Sequence, residues 1–145
     1  MKILWTDGSA DPNPGPGGWA VIEQIGDDLR PVRIGSEKDS TNIRMEGIAL
    51  INAIEYASDE ECEIHTDSEF WINVVTKWAP SWKRNNWTKK SGPIKNLDIV
   101  QKLYDLYYRS DTKLIWTRGH VGTKGNELAD TWASRARRGH KLTQQ

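Results

Sequence analysis

Two aspartates in this 145-residue chain stand in the same local setting. Asp7 follows the apolar run Ile3-Leu4-Trp5-Thr6, and Asp67 follows Cys62-Glu63-Ile64-His65-Thr66. Each run reads as a short strand closed by a threonine and then an aspartate. If the two strands are parallel and joined by a right-handed crossover, both carboxylates leave the sheet at one edge. Open α/β sheets bind their ligands at that edge. A single aspartate there is ordinary, because Asp is a common helix N-cap, and Asp67 alone, followed by Ser68 and Glu69 at a helix start, reads as a cap. Two such aspartates are harder to assign to caps. Carboxylates gathered at one place repel each other, which raises their pKa values unless cations are present. Mg²⁺ takes carboxylate and phosphate oxygens while keeping several waters, so a few carboxylates are enough to hold it.

The elements that must position these groups follow from periodicity and punctuation. After the first strand, Pro12-Asn13-Pro14-Gly15-Pro16-Gly17-Gly18 reads as a turn and Trp19-Ala20-Val21-Ile22 as its hairpin partner. A turn near Gly26-Asp27-Asp28 precedes a weak third strand from Leu29 to Gly35, where Pro31 favours a sheet edge. A helix is expected from Met45 to Ala57. Its apolar residues cover most of its circumference, so it belongs between layers. After Asp67 comes a helix with Trp71, Val74, Val75 and Trp78 on one stripe. Another places Leu97, Val100, Leu103, Tyr104 and Tyr107 inward, opposite Asp98, Lys102, Asp105 and Arg109. A strand, Lys113 to Thr117, leads through a loop from Arg118 to Gly125 into a last helix from about Asn126 to Arg138. The order β, β, β, α, β, α, α, β, α predicts a single α/β domain with a mixed sheet.

Length and a hydrophobic content of 37% suit one domain with one core. No run of ~18 apolar residues is present to span a membrane, and no signal peptide precedes Asp7, so a soluble, cytoplasmic protein is expected. The single cysteine, Cys62, excludes an internal disulfide framework and a cysteine-rich zinc site. Net charge is zero, yet it is unevenly placed. Residues 1–76 carry five basic and fifteen acidic side chains, a net −10, and residues 77–145 carry fifteen basic and five acidic, a net +10. Between Lys77 and Leu97, Lys77, Lys83, Arg84, Lys89, Lys90 and Lys95 occur with no acid, interleaved with Trp78, Trp82 and Trp87. Basic charge mixed with aromatics is the composition of a surface that follows a nucleic-acid backbone.

Four separated motifs then carry a resemblance. Thr6-Asp7-Gly8-Ser9 with Asn13 to Gly18, then Thr41-Asn42-Ile43-Arg44-Met45-Glu46, then Thr66-Asp67-Ser68, and finally Gly119-His120-Val121-Gly122 with Asn126-Glu127 and Asp130 resemble type 1 ribonuclease H over nearly the whole chain. The resemblance implies a ribonuclease H-like fold, a five-stranded mixed sheet flanked by helices, with a basic handle at about residues 78–95. It implies one catalytic domain over residues 1–145, without the separate hybrid-binding domain of some members, and a monomer. It implies Asp7, Glu46, Asp67 and Asp130 as catalytic carboxylates and metal ligands, with His120 assisting. The implied reaction is hydrolysis of the RNA strand of an RNA–DNA hybrid with two Mg²⁺ ions, or Mn²⁺ in their place, leaving 5′-phosphate and 3′-hydroxyl ends.

That chemistry has its own demands. Phosphodiester hydrolysis needs a water made nucleophilic near neutrality and a stabilised leaving alkoxide, which two cations ~4 Å apart supply. Choosing RNA over DNA needs a reader of the 2′-hydroxyl. The family pattern gives that task to Asn13, Glu46 and Ser68, and a DNA phosphate to Thr41, Asn42 and Arg44. It gives further substrate contact to Trp78 and, in the basic segment, Lys83, Arg84, Lys89 and Lys90. Polar turn and N-cap duty before the helix could coexist with phosphate binding at Thr41 and Asn42. Two positions depart from the pattern. Glu69 stands where a glutamine is often found, and a carboxylate cannot donate to a base edge; Ile43 replaces a commonly polar residue. Other readings are an integrase or transposase core acting on DNA ends, and a catalytically silent hybrid-binding module.

Overall fold

The computed structural model of the chain describes residues 1–118 and 123–142. Strands β1 (Lys2–Ala10), β2 (Gly15–Ile25) and β3 (Asp28–Ser40) precede helix α1 (Asn42–Ala57) and strand β4 (Cys62–Thr66). Helices α2 (Glu69–Asn73) and α3 (Ala79–Arg84) run into each other through a π-helical turn, Val74–Trp78. Helix α4 (Leu97–Arg109), strand β5 (Thr112–Trp116) and helix α5 (Lys124–Arg137) complete the order. The strands form one mixed sheet in the order β3-β2-β1-β4-β5. β1 is antiparallel to β2, and β2 to β3, whereas β1, β4 and β5 run parallel. This is the expected five-stranded mixed sheet flanked by helices. Among the described residues, no helix is long and apolar enough to cross a membrane.

The sheet has two different faces, set by strand alternation. Leu4, Val21 and Ile64 point to one side and join Leu50, Ile54, Trp71, Val75 and Leu103 in the main core, under α1, α2 and α4. Trp5 and Ile22 point to the other side and pack with Ala129 of α5. The helix read as buried all round is so: Met45, Ala49, Leu50, Ala53 and Ile54 of α1 are inaccessible or nearly so.

Three expectations are corrected. Gly15 to Gly18, read as turn, belong to β2, and β3 extends to Ser40 instead of stopping at Gly35. The register explains both, since Gly15 pairs with Ser40 and Gly17 with Glu37, and the ladder overrides weak strand propensity. Pro31 does lie on an edge strand, beside the register shift between Val21 and Ile22. Trp78 is off the apolar stripe and 42% exposed. The π-helical turn, with its i→i+5 bonding, changes the angular step along the helix and carries Trp78 away from Trp71, Val74 and Val75. In α4 the fully buried residues are Ile99, Val100 and Leu103, while Leu97, Tyr104 and Tyr107 are half-buried.

Candidate active site

Asp7 and Asp67 meet because of a register. The last β1–β4 pair is Trp5 with His65, whose rings stack with centroids 4.2 Å apart. Two residues beyond that pair, on the same face, stand Asp7 and Asp67. β4 has ended there at Thr66, whereas β1 continues to Ala10 along β2, so Asp7 is not at a strand end as the sequence suggested. Nor does Asp67 cap the following helix: Ser68 does, its Oγ accepting from the Trp71 amide at 3.3 Å.

Glu46 comes from the opposite layer. Thr41 caps α1, its hydroxyl accepting from the Arg44 amide at 3.1 Å. The next turn lies so close to β1 that a Cβ at Gly8 would overlap the Met45 carbonyl and the Glu46 amide. Glycine is what lets the helix settle there. Carboxylate oxygens of Asp7, Glu46 and Asp67 consequently lie within 4.8 Å of one another. Asp130 projects from α5 outside this trio and is exposed, yet its charge reaches Asp7. The close fit of α5 is again at glycines: Gly18 faces Ala133 and Arg137, and Gly125 lies on the Trp5 ring. His120 lies outside the described residues.

The cluster is electrostatically costly. Burial, then the charge of Asp67, pushes the Asp7 carboxyl well above the usual carboxylate range, against the Gly8 amide, which donates to Asp7 Oδ1 at 2.8 Å. Burial and Asp67 raise Glu46 to about 8, with a hydrogen bond from Ser68 opposing. Oxygen-only donors whose repulsion a cation would relieve fit a hard divalent ion and not a soft one.

Linkage gives a test without substrate. The unfolded chain releases the Glu46 proton near 4.5, whereas the folded protein keeps it to about 8. Below pH 4.5 both states are protonated and the carboxyl costs nothing; between about 4.5 and 8 the unfolded state binds fewer protons, so stability falls as pH rises. In chelator, wild type should lose melting temperature relative to Glu46→Gln across that window, and Mg²⁺ should restore more at its alkaline end. A wild-type minus variant difference that is flat with pH would contradict this.

Around the carboxylates, Asn42 Oδ1 accepts from the Ala10 amide at 2.7 Å and Asn13 Oδ1 from the Asn42 amide at 3.2 Å. Arg44 is differently engaged from a waiting phosphate ligand. Its Nε donates to Glu37 at 3.0 Å, and Nη1 and Nη2 donate to the two Asp98 oxygens at 3.3 and 3.1 Å. Two carboxylates therefore share its charge, and Asp98 is held below its ordinary pKa by it.

The basic segment folds back on the helices. Trp87 packs edge-on against Tyr104 at 5.6 Å and Lys89 lies 5.7 Å over Trp82, so these two tryptophans serve packing. Lys83, Arg84, Lys89 and Lys90 are exposed, and none pairs with a carboxylate among the described residues. Sequence reasoning passed over Arg137, whose Nη1 donates to Ser9 Oγ at 3.0 Å on the Asp7 face of β1. It sits in the terminal basic run Arg135 to Lys141, which reads as solvated helix end.

With this geometry in place, comparison with known proteins is informative. The family model for RNase H matches residues 1–138. A ribonuclease H of Methylorubrum extorquens is 41% identical over 137 residues, spanning 94% of this chain and 60% of that protein. One from Bordetella pertussis is 40% identical over 134 residues, spanning 90% and 85%. Among solved structures, the PFV RNase H domain superposes with a TM-score of 0.76 at 22% identity, covering 94% of each chain. A foamy viral protease-reverse transcriptase in complex with RNA/DNA hybrid gives 0.77 at 22% identity, covering 94% of this chain and 20% of that one.

Proposed function

The chain belongs to the RNase H family, and we propose that it hydrolyses the RNA strand of RNA–DNA hybrids, leaving 5′-phosphate and 3′-hydroxyl ends. The observation that carries this reading is the gathering of Asp7, Glu46 and Asp67 oxygens within 4.8 Å, with Asp130 close enough to raise Asp7. Asp7, whose carboxyl feels all three of the others, would bridge two Mg²⁺ ions, with Glu46 and Asp67 holding one and Asp130 the second; Mn²⁺ fits the same donors. Divalent ions held by these carboxylates would supply the acidity that makes a water nucleophilic near neutrality and the charge that stabilises a leaving alkoxide.

The protein's own residues bind, orient and move protons. Asn13, Ser68 and Glu46 read 2′-hydroxyls, and Thr41, Asn42 and Arg44 hold a phosphate of the DNA strand. In support, the Nδ2 groups of Asn13 and Asn42 have no hydrogen-bond partner among the described residues. Because Arg44 is shared by Glu37 and Asp98, and the Asn42 and Arg44 amides are bonded within the protein, the pull on that phosphate comes chiefly from the side chains of Thr41 and Asn42. His120 relays a proton. Trp78 and the basic segment 78–95 act as a handle along the backbone of the hybrid, in a cytoplasmic monomer.

Removing divalent ions should abolish hybrid cleavage and Mg²⁺ should restore it; Ca²⁺, with more ligands at longer distances, should occupy the site without supporting turnover. Cleavage that survives chelation would overturn the reading. Replacing Lys83, Arg84, Lys89 and Lys90 together by alanine should raise KM. It should also flatten the log–log salt dependence of binding by ~0.9 for each duplex phosphate that the variant no longer neutralises. An unchanged salt slope would make the segment a solvated face.

A further inference from the structure

We propose that Arg137 and Ser9 form a further anion site, which takes a backbone phosphate of the strand held over the catalytic carboxylates; this rests on the reading of the chain as a hybrid-cleaving enzyme. The placement comes from the sheet. Ser9 is two residues after Asp7 on β1, on the same face, so its hydroxyl lies about 7 Å along the strand from the cluster. Its partner across the ladder is Gly18, and on Gly18 the last turn of α5 is seated so tightly that a Cβ there would overlap the Ala133 carbonyl and the Arg137 amide. That seating fixes where Arg137 leaves the helix. The guanidinium is then held by one hydrogen bond, Nη1 to Ser9 Oγ at 3.0 Å.

Charge separates this arginine from the other one beside the site. Arg44 is neutralised by Glu37 and Asp98, whereas Arg137 makes no ion pair among the described residues although it is half-buried. A guanidinium carries five donors. The bond to Ser9 uses one, and the serine, accepting from Arg137, keeps its own O–H to donate. A cation and a hydroxyl that converge with unspent donors next to a strongly acidic cluster make a phosphate seat, and an arginine fork matches two phosphate oxygens. The site also answers a need of the reaction. A polyanion must approach carboxylates that repel it, and a fixed positive charge one pleat away counters that repulsion where the strand enters.

The competing explanation is structural: a cation in the last turn of a helix is favoured by the helix dipole. Two variants separate the cases, because Arg137→Gln removes the charge while keeping a donor for Ser9, and Arg137→Lys keeps the charge and loses the fork. KM and kcat/KM on a labelled hybrid in Mg²⁺ are measured over a series of salt concentrations, with melting temperatures alongside. The expected result for Arg137→Gln is a KM raised about 10-fold, the scale of one charged interaction, and a salt slope shallower by ~0.9. Arg137→Lys should keep the slope and recover part of the KM. If Arg137→Gln leaves KM and slope at wild-type values, or moves only the melting temperature, the arginine is a helix-end residue and the proposal is overturned. A wild type that leaves hybrid intact would instead overturn the proposed function beneath it.

Discussion

Asp7→Asn is expected to lower hybrid cleavage by more than ~10³-fold, beyond the loss of a single oriented hydrogen-bond donor, while hybrid binding is retained. The side chain keeps its shape, its bond with the Gly8 amide and its place on β1, but loses the charge shared among Glu46, Asp67 and Asp130. The residues assigned to phosphates and to the handle lie elsewhere, so affinity should survive. The same substitution removes a carboxylate whose ionisation burial and three like charges oppose, so the metal-free variant should be more heat-stable near neutral pH than wild type. A variant that turns over at the wild-type rate in Mg²⁺, or one that melts lower than wild type in chelator, would contradict the placement of Asp7 at the centre of the charge cluster.

His120→Ala should slow kcat by about 10²-fold without a large change in KM, the low end for general acid–base assistance. The proposal rests on an imidazole between Gly119 and Gly122, ten residues before Asp130. An unperturbed imidazole, with a pKa of ~6.5, gives and takes a proton near neutrality. Loss of the corresponding limb of the pH–rate profile would mark proton transfer, and a fast first turnover followed by slow ones would mark product release. Wild-type behaviour in both single and multiple turnover would remove His120 from the mechanism.

How far these residues could be read from the chain follows from how each is positioned. Asp7 and Asp67 were legible because each follows a similar apolar run and a threonine: parallel pairing and period-two alternation put both on one face, even though β1 runs on past Asp7 to Ala10. Glu46 was not legible by spacing. It reaches the cluster only because Gly8 lets α1 settle onto β1, a contact between layers that no local pattern encodes. Asp130 depends likewise on α5 seating over Gly18 and Gly125. For both, only the resemblance to a family supplied the assignment. The far half of β3 and the glycine-rich start of β2 were misread because each is a strand only in the presence of the other. Trp78 was misplaced by a π-helical turn that leaves no mark in the apolar spacing. The ion pair of Arg44 with Asp98 and the bond of Arg137 to Ser9 join residues 54 and 128 apart in sequence, so the chain alone showed neither the neutralisation of the phosphate ligand that the resemblance implied at Arg44 nor the placement of Arg137 beside Asp7.

The central claim is that this acidic site hydrolyses RNA only when it is paired with DNA. The direct test incubates the protein in Mg²⁺ with end-labelled RNA–DNA hybrid, duplex DNA and single-stranded RNA of one sequence, and maps the products and their ends. Cleavage confined to the RNA strand of the hybrid, with 5′-phosphate and 3′-hydroxyl termini, is the predicted result. Processing of the duplex DNA ends would assign the fold to a DNA-processing core, and hybrid that is bound but left intact would make the protein a silent binding module; either would contradict the claim.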